Sequence, residues 1–184
     1  MSREGSRQPR MRKKDEETVL LSGQVVLKDD PRLEVCGAID EVSSLLGVSR
    51  SFLKEDDEVS KVLKEIQGHL FVLGSEVSGL GSDKPRPRIG DEQLRRLDEL
   101  IEEYSRKVPR LRRFLYPGGA PAAAMLHLAR AVSRRCERRL VSLSRRFPID
   151  SRAISYANKL SKILFLLARY LNLREGFGEE YWEG

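Results

Sequence analysis

The spacing of apolar residues is the feature that most constrains the fold of this chain. In five segments these residues recur every three or four positions, and in the last segment they are Ile154, Ala157, Leu160, Ile163, Leu164, Leu167 and Leu171. Side chains at such spacings lie on one face of an α-helix, which can then be buried. The pattern predicts helices over residues 32–53, 59–77, 91–107, 121–144 and 150–172. Five amphipathic helices with short connections predict an all-α fold, a five-helix up-and-down bundle.

The segments outside these helices divide the chain. We expect residues 1–17 to form a basic, flexible tail, residues 18–172 the single bundle domain, and residues 173–184 an acidic C-terminal tail that lacks periodicity and frays. Within the domain, residues 18–26 (TVLLSGQVV) predict either a short strand or an extended, irregular N-terminal arm. The stretch FLYPGG, residues 114–119, must form a turn, because proline removes a donor and the glycines favour turn angles.

The positive charge of the chain is local. The formal net charge is +6 over 184 residues. Residues 1–14 hold six basic residues against one acidic residue, and residues 129–146 hold seven arginines against Glu137, so the remainder is net acidic. The arginine segment has no interleaved aromatic residues and no nucleic-acid recognition motif. Nucleic acid is therefore not the expected partner.

Two further features limit the class of protein. No apolar run reaches the roughly 18 residues of a membrane span, and residues 1–14 lack the apolar core of a signal peptide, which favours a cytoplasmic protein without a membrane partner. Cys36 and Cys136 both lie inside apolar helical patterns, and no Cys or His pairs occur at metal-binding spacing. We interpret both cysteines as reduced core thiols and expect no protein-bound metal site.

The helix over residues 121–144 contains the densest cluster of arginines. Its core face is predicted to consist of Ala122, Met125, Ala129, Val132, Cys136, Leu140 and Leu143. Arg130, Arg134 and Glu137 form one line beside this face, so they should be partly buried. A partly buried guanidinium needs an acidic residue or an anionic ligand opposite it. A small polyanion such as a triphosphate fits, because the planar guanidinium makes paired, charge-assisted hydrogen bonds to it.

The other arginines of this segment have a simpler interpretation. Arg135, Arg138 and Arg139 fall away from the predicted line, on the flank or far side of the helix. We expect them to be exposed to solvent or to form rim ion pairs, which contribute little stability.

Four segments carry a family resemblance. They are KDDPRLEVCGAIDEVSSLLG (residues 28–47), EIQGHLFVLGSEV (65–77), FLYPGGAPAAAMLHLARAVSRRCERRLV (114–141) and YANKLSKILFLLAR (156–169). In order and separation they resemble the trimeric ATP:cob(I)alamin adenosyltransferases of the PduO type, over about residues 23–172. The resemblance implies a ferritin-like five-helix bundle, a homotrimer, and transfer of the 5′-deoxyadenosyl group of ATP to reduced cobalt. ATP, Mg²⁺ and cobalamin, as substrate, are the ligands it implies.

The resemblance also implies residues for the ATP site. Arg130 and Arg134 correspond to the two arginines of the family's arginine helix, which lie at an ATP site between subunits, and Glu137 matches the glutamate of the same motif. Lys28 resembles a nucleotide-contacting lysine before the first helix, and Asn158 an asparagine of the ATP site. Among these ATP-site residues, Arg134 is expected to take part in catalysis.

Two more positions receive roles from the resemblance. Asp40 matches an aspartate expected to pair with Arg130 across the subunit interface. Phe114 matches the aromatic residue that fills the lower face of the corrin and displaces the axial ligand, which makes the cobalt easier to reduce. Phe114 is therefore expected to be both a corrinoid-binding and a catalytic residue.

The chain departs from the family pattern at two places that bear on ATP. The family's glycine-containing N-terminal segment, which wraps the phosphates, is here RKKDE (residues 12–16), without glycine. Lys162 stands where the family has an aspartate. These departures leave an alternative open: a non-catalytic or altered-ligand trimeric relative that has lost the N-terminal ATP-binding motif.

Overall fold

The computed structural model describes residues 15–183, which contain five long helices and one small sheet. The helices are α1 (Pro31–Ser51), α2 (Glu58–Ser78), α3 (Asp91–Lys107), α4 (Pro121–Ser144) and α5 (Ser151–Arg174). Strands β1 (Glu17–Val19) and β2 (Val25–Leu27) precede them. The predicted all-α five-helix bundle is confirmed, and every predicted helix end lies within two residues of its observed position.

Capping residues explain where three of the helices begin. The side chains of Asp30, Asp57 and Asp150 accept hydrogen bonds from backbone N–H groups in the first turns of α1, α2 and α5. These N–H groups have no partner within the helix, so a side-chain acceptor stabilises the helix end. Pro31 and Pro121 stand in the first turns of α1 and α4, where a missing N–H group has no cost.

The helices pack in a defined order around one core. Helix α1 packs against α2 and α4, α4 packs against α5, and α5 packs against α3. The core side chains come from all five helices, and the largest fully buried ones include Tyr104, Tyr156, Leu46, Leu63, Ile66, Leu70, Leu73, Leu97, Leu100, Leu126 and Leu140. Six of the seven residues predicted for the core face of α4 are buried, and Met125 is partly buried.

The N-terminal arm is a β-hairpin. Strands β1 and β2 pair antiparallel, with Glu17 opposite Leu27 and Val19 opposite Val25. The turn between them uses Gly23 at φ +86°, a conformation that glycine adopts without steric cost. The hairpin rests on the end of α2, where the backbone N–H of Leu21 donates to the Ser78 hydroxyl at 3.1 Å. The predicted irregular arm is therefore wrong, and the predicted single strand is instead two short paired strands.

The acidic C-terminal segment was expected to fray, and for residues 175–183 this prediction is wrong. The chain turns back after α5 and lies along the FLYPGG turn. The N–H of Tyr116 donates to the Glu180 carbonyl and the N–H of Trp182 donates to the Phe114 carbonyl, both at 2.9 Å. Leu115 and Tyr181 form the bridge between the two extended segments. The segment is ordered by these pairings and by a buried ion pair, neither of which depends on helical periodicity.

Both cysteines lie in helices, as predicted. Cys36 is partly buried, Cys136 is buried, and both are free thiols. Burial raises the pKa of Cys36 to about 11 and that of Cys136 to about 12, so both stay protonated at neutral pH. Among residues 15–183, no helix combines the length and apolar character needed to cross a membrane.

Candidate active site

A groove between α4 and α5 contains most of the predicted ATP-site residues. We call it the arginine groove and define it by Arg130, Arg134 and Glu137 on α4 and by Asn158, Lys162 and Phe165 on α5. The Arg130 guanidinium lies 5.8 Å from the centre of the Phe165 ring, and the Asn158 amide donates to Glu137 Oε1 at 2.8 Å. From the first contact to the second, the position advances seven residues along α4 and goes back seven residues along α5. The two helices are therefore antiparallel, and both contacts fit the same alignment of the helices.

Arg130 has unused hydrogen-bonding capacity in this groove. It is partly buried, and its Nε atom is fully buried with no acceptor among residues 15–183. Burial, followed by the positive charge of Arg134, lowers the pKa of Arg130, although a guanidinium remains charged at neutral pH. A buried donor without a partner is costly. Arg130 can therefore bind an anion or an acidic residue that residues 15–183 of the same chain do not supply.

Arg134 differs from its prediction. It was expected to be partly buried and is exposed. The helical position was assigned correctly, but it lies at the open edge of the groove, where none of the elements within residues 15–183 covers it. No residue among 15–183 forms an ion pair with its guanidinium, and its backbone carbonyl accepts from Arg138 at 3.1 Å. The charge of Arg134 is thus free to meet a ligand.

Lys162 adds a third cation to the middle of the groove. It lies four residues after Asn158 and three before Phe165, the spacing of one helix face, and it is exposed. Arg134 has the equivalent position on α4, four residues after Arg130 and three before Glu137. Arg134 and Lys162 therefore lie at about the same position along the groove, and the middle of the groove is electropositive.

The remaining arginines of α4 behave as predicted. Arg139 forms an ion pair with Glu34 at 2.8 Å, and Arg135 forms one with Glu41, so both join α4 to α1 at the rim. Arg138 is exposed. The sequence-based division of the five arginines between a line beside the core and a rim is confirmed, apart from the burial of Arg134.

Lys28 and Asp40 do not join the groove within one chain. Lys28 is exposed just after β2, and its backbone N–H donates to the Glu16 carbonyl at 2.8 Å. This bond brings residue 16, the last residue of the altered N-terminal segment, next to Lys28, while residues 12–14 lie outside the described part of the chain. Asp40 is exposed on α1 and forms no ion pair with any of residues 15–183. The predicted pair between Asp40 and Arg130 is thus absent within the single chain.

Phe114 lies in a second region, on the turn before α4. Its side chain is 76% exposed, and its ring meets the Trp182 ring edge to face with the centres 6.2 Å apart. A hollow of about 500 Å³ is lined by Arg113, Phe114, Trp182 and Glu183. A smaller hollow of about 290 Å³ is lined by residues 111–114. An exposed aromatic side chain beside two open hollows is suited to contact a large flat ligand.

The comparison with known protein families covers both of these regions. The model of the cobalamin adenosyltransferase family matches residues 10–171. The chain belongs to this family. The match includes the hairpin, all of α1 to α4 and most of α5, so the arginine groove and the Phe114 turn both lie inside it.

Individual cobalamin adenosyltransferases are similar to this chain over most of its length. A corrinoid adenosyltransferase of Citrobacter freundii is 37% identical over 154 residues, which cover 83% of this chain and 87% of that protein. A corrinoid adenosyltransferase of Bacillus subtilis is 33% identical over 159 residues, covering 85% and 82%. A solved structure of a variant PduO-type ATP:corrinoid adenosyltransferase from Lactobacillus reuteri, complexed with cobalamin and ATP, superimposes with a TM-score of 0.85 at 29% identity, covering 96% of this chain and 99% of that one.

Sequence reasoning missed several residues of these two regions of the adenosyltransferase fold. Phe165, Arg169, Glu179 and Trp182 received no role, although Phe165 contacts Arg130 and Trp182 contacts Phe114. Arg169 lies two residues after Leu167 and two before Leu171, off the predicted core face of α5, so helical spacing gave no signal that it would be buried. The position of Trp182 also has no local signal.

Proposed function

We propose that this chain is an ATP:corrinoid adenosyltransferase, which transfers the 5′-deoxyadenosyl group of ATP to the cobalt of reduced cobalamin and forms adenosylcobalamin. The observation that carries the assignment is the arginine groove, where a buried guanidinium nitrogen has no acceptor among residues 15–183 and two exposed cations lie at about the same position along the groove. Such a groove is suited to a triphosphate. Membership of the cobalamin adenosyltransferase family supplies the second substrate.

The chemistry of this transfer explains which residues the chain needs. Reduced cobalt is itself the nucleophile: its electron pair forms the cobalt–carbon bond to C5′ of ATP, the C5′–O5′ bond breaks, and the triphosphate leaves with that electron pair. No protein nucleophile or proton-transfer base is required. The protein must hold the reactants in line and stabilise the negative charge of the leaving group.

We assign these tasks to the arginine groove. Arg130 and Arg134 bind the phosphates, and Arg134 takes the larger part in neutralising the leaving group because its guanidinium is free to approach it. Lys162 adds a point charge at the same level. Asn158 and Glu137, bonded to each other at 2.8 Å, hold one end of the groove in a fixed geometry, and Lys28 extends the nucleotide site from the end of β2.

Mg²⁺ would enter with ATP. Among residues 15–183, no cluster of three or more His, Cys, Asp or Glu side chains could hold a metal ion by itself. Mg²⁺ commonly keeps several waters and binds through phosphates and one or two carboxylates. Glu137 is the carboxylate of the arginine groove that can complete such a coordination. Bound Mg²⁺ would offset phosphate charge, which assists departure of the triphosphate.

Phe114 is assigned to the corrinoid. An aromatic ring that is 76% exposed contributes little to the core of the chain, so its apolar surface is available to the lower face of a corrin. Occupying that face keeps water and the axial base from cobalt, which favours the reduced state. Phe114→Ala should therefore leave the thermal midpoint nearly unchanged and abolish the four-coordinate cobalt(II) spectrum. Phe71→Ala, on a ring that is 72% exposed on α2, is the matched control and should retain the spectrum.

The arrangement supports a homotrimer with the ATP site between subunits. Asp40 is exposed without an ion pair in the described chain, and Arg130 has a buried nitrogen without an acceptor, so each has what the other lacks. Pairing them between two copies would satisfy both. Light scattering at micromolar concentration should return a trimer, and a monomer would contradict the proposal. We place the enzyme in the cytoplasm, a reducing compartment that suits its free thiols.

The decisive experiment is anaerobic incubation of the protein with ATP, Mg²⁺ and chemically reduced cobalamin, with adenosylcobalamin followed by its absorbance. We expect product at a rate that depends on both substrates. The loss of glycine from residues 12–16 favours one rival, a relative that keeps the trimer without catalysis. Absence of product together with absence of ATP binding by calorimetry would establish that rival, whereas ATP binding without product would point to a different acceptor.

A further inference from the structure

A buried ion pair connects α5 to the C-terminal segment. Arg169 Nε donates to Glu179 Oε1 at 2.5 Å and Nη2 donates to Glu179 Oε2 at 3.1 Å, so the pair is bidentate. The side chains are only 3% and 15% exposed. The same Nη2 also donates to the Pro109 carbonyl at 2.8 Å. Arg169 therefore fastens the chain on both sides of Phe114: at Pro109, five residues before it in sequence, and at Glu179 of the segment that pairs with it.

The pair is charged and closed at neutral pH. Burial raises the pKa of Glu179, but hydrogen bonds from Arg169 and from the Tyr181 hydroxyl lower it, and the net pKa lies below its ordinary value. Tyr181 donates to the second oxygen of the same carboxylate. A bidentate guanidinium–carboxylate pair has a defined geometry as well as strength. We call Arg169, Glu179 and Tyr181 the tail clasp.

The tail clasp leads directly to Phe114. Three residues after Glu179, the N–H of Trp182 donates to the Phe114 carbonyl at 2.9 Å, and the Trp182 ring packs against the Phe114 ring. Residues 109–120 contain no helix or paired strand other than the single bridge to Tyr181. Within residues 15–183, the described contacts that hold the backbone of Phe114 therefore come from the C-terminal segment, and that segment is anchored by the clasp.

We propose that Arg169 and Glu179 are positioning residues for the corrinoid reaction: the tail clasp holds the C-terminal segment so that Phe114 presents its ring in one orientation. The inference rests on the proposed function, since it concerns how Phe114 is positioned on the corrinoid side of the same site. An exposed ring on an unsupported turn samples many orientations, and selecting one of them during the reaction costs entropy. This cost is avoided when the fold already fixes the ring in the required orientation.

We expect the tail clasp to affect the corrinoid reaction and not the binding of ATP. Arg130 of the arginine groove lies on α4 and contacts the Phe165 ring on α5, and the C-terminal segment provides no hydrogen bond to its buried Nε atom. Loosening the clasp should therefore impair formation of four-coordinate cobalt(II) and leave ATP affinity nearly unchanged. If the ion pair only stabilised the fold, its loss would change both the cobalt(II) spectrum and the ATP affinity, or neither of them.

The chain offers a matched pair of variants and an internal reporter. Glu179→Gln weakens the clasp, whereas Glu180→Gln removes the neighbouring carboxylate, whose residue contributes only its backbone carbonyl to the pairing. Trp182 is the only tryptophan of the chain, so acrylamide quenching of its fluorescence reports whether the segment is docked. The cobalt(II) spectrum with ATP bound and a calorimetric ATP titration complete the set.

We expect Glu179→Gln to increase quenching of Trp182 about threefold and to lower the four-coordinate cobalt(II) fraction about tenfold, with the ATP Kd within about twofold of the parent value. Glu180→Gln should match the parent in all three. Tyr181→Phe, which removes one donor and strands no charge, should give intermediate values and serves if Glu179→Gln fails to fold.

Two results would overturn the proposal. Identical cobalt(II) spectra for Glu179→Gln and Glu180→Gln, with increased Trp182 quenching in the former, would mean that docking of the segment does not position Phe114. A parallel loss of ATP binding would mean that the clasp is only structural. Failure of the proposed function is distinguishable, because the parent protein itself would then give no four-coordinate cobalt(II) with ATP and cobalamin.

Discussion

Two arginines flank the same aromatic ring and have opposite environments. The guanidinium of Arg130, from α4, lies 5.8 Å from the centre of the Phe165 ring, and that of Arg169, from α5 itself, lies 5.7 Å from it. Arg169 is buried and bonded to Glu179 and to a backbone carbonyl, whereas Arg130 is partly buried with a nitrogen bonded to nothing in the described chain. The difference teaches that Arg169, whose charge is satisfied, joins two parts of the chain, whereas Arg130 keeps a donor that a partner or a ligand could use.

The same contrast extends to the neighbouring groups. His127 lies three residues before Arg130, is 4% exposed, and has no hydrogen-bond partner on either ring nitrogen among residues 15–183. Its ring packs edge to face against Phe165. Glu179, on the Arg169 side, has partners on both carboxylate oxygens. One side of Phe165 is therefore closed by internal pairs and the other is open.

The largest expected effect is on the closed side. Arg169→Met should lower the free energy of unfolding by about 3–5 kcal/mol, because it leaves the Glu179 carboxylate buried without a counter-charge. Arg130→Met should lower it by less, about 1 kcal/mol, because Arg130 has no ion-pair partner in the described chain and the variant leaves unpaired only Asp40 of the partner subunit, which is exposed in the single chain. Urea unfolding of the two ATP-free variants measures both. Equal losses would remove the distinction between the two arginines.

A pH titration tests the histidine on the open side. Burial, followed by the charge of Arg130, lowers the pKa of His127 to about 4. As pH falls from 6.5 to 4 the unfolded chain takes up a proton that the folded chain does not, so stability should fall, by at most about 3 kcal/mol. His127→Phe should lose this part of the pH dependence, while His69 is present in both proteins and cancels. The contribution of Glu179, whose pKa is lowered, disappears only below its ordinary pKa of about 4.3. An unchanged pH profile in His127→Phe would show that His127 has a partner in solution.

ATP binding should depend on the open side. Arg134→Gln should raise the ATP Kd about 10–100-fold, the equivalent of roughly 1.5–3 kcal/mol for hydrogen bonds to a charged group. The thermal midpoint without ATP should not change, since Arg134 is exposed and unpaired in the described chain. Arg138→Gln, one helical turn further on the same helix and also exposed, is the control and should bind ATP as the parent does. Equal affinities for the two variants would remove Arg134 from the site.

The smallest expected effect concerns Lys162. Lys162→Gln should weaken ATP binding by a few-fold, or about 0.5–1 kcal/mol, because the lysine contributes an exposed point charge that salt screens. The same variant should show a smaller decrease of ATP affinity between low and physiological salt. Lys64→Gln, on an exposed lysine of α2, controls for the change in net charge. If the two variants lose the same affinity, Lys162 acts only through the overall charge of the protein.

Much of the fold and half of the site could be predicted from local sequence. Apolar spacing of three and four residues predicted all five helices, because the spacing reflects the geometry of a helix and needs no knowledge of its neighbours. The same argument separated Arg130 from the rim arginines Arg135 and Arg139, which pair with Glu41 and Glu34 as expected for a rim. The family motifs then supplied roles that spacing alone could not.

The sequence by itself determined the helices, the faces of α4 and the presence of a charged line beside its core face. Only the tertiary structure decided that Arg134 is exposed, that Arg169 meets Glu179, and that the segment after α5 holds Phe114. These features depend on which element covers a face and on where the chain runs after its turn at Gly176. Helical periodicity is a property of neighbours along the chain, whereas an ion pair or a strand pairing joins residues that meet only after the helices have packed.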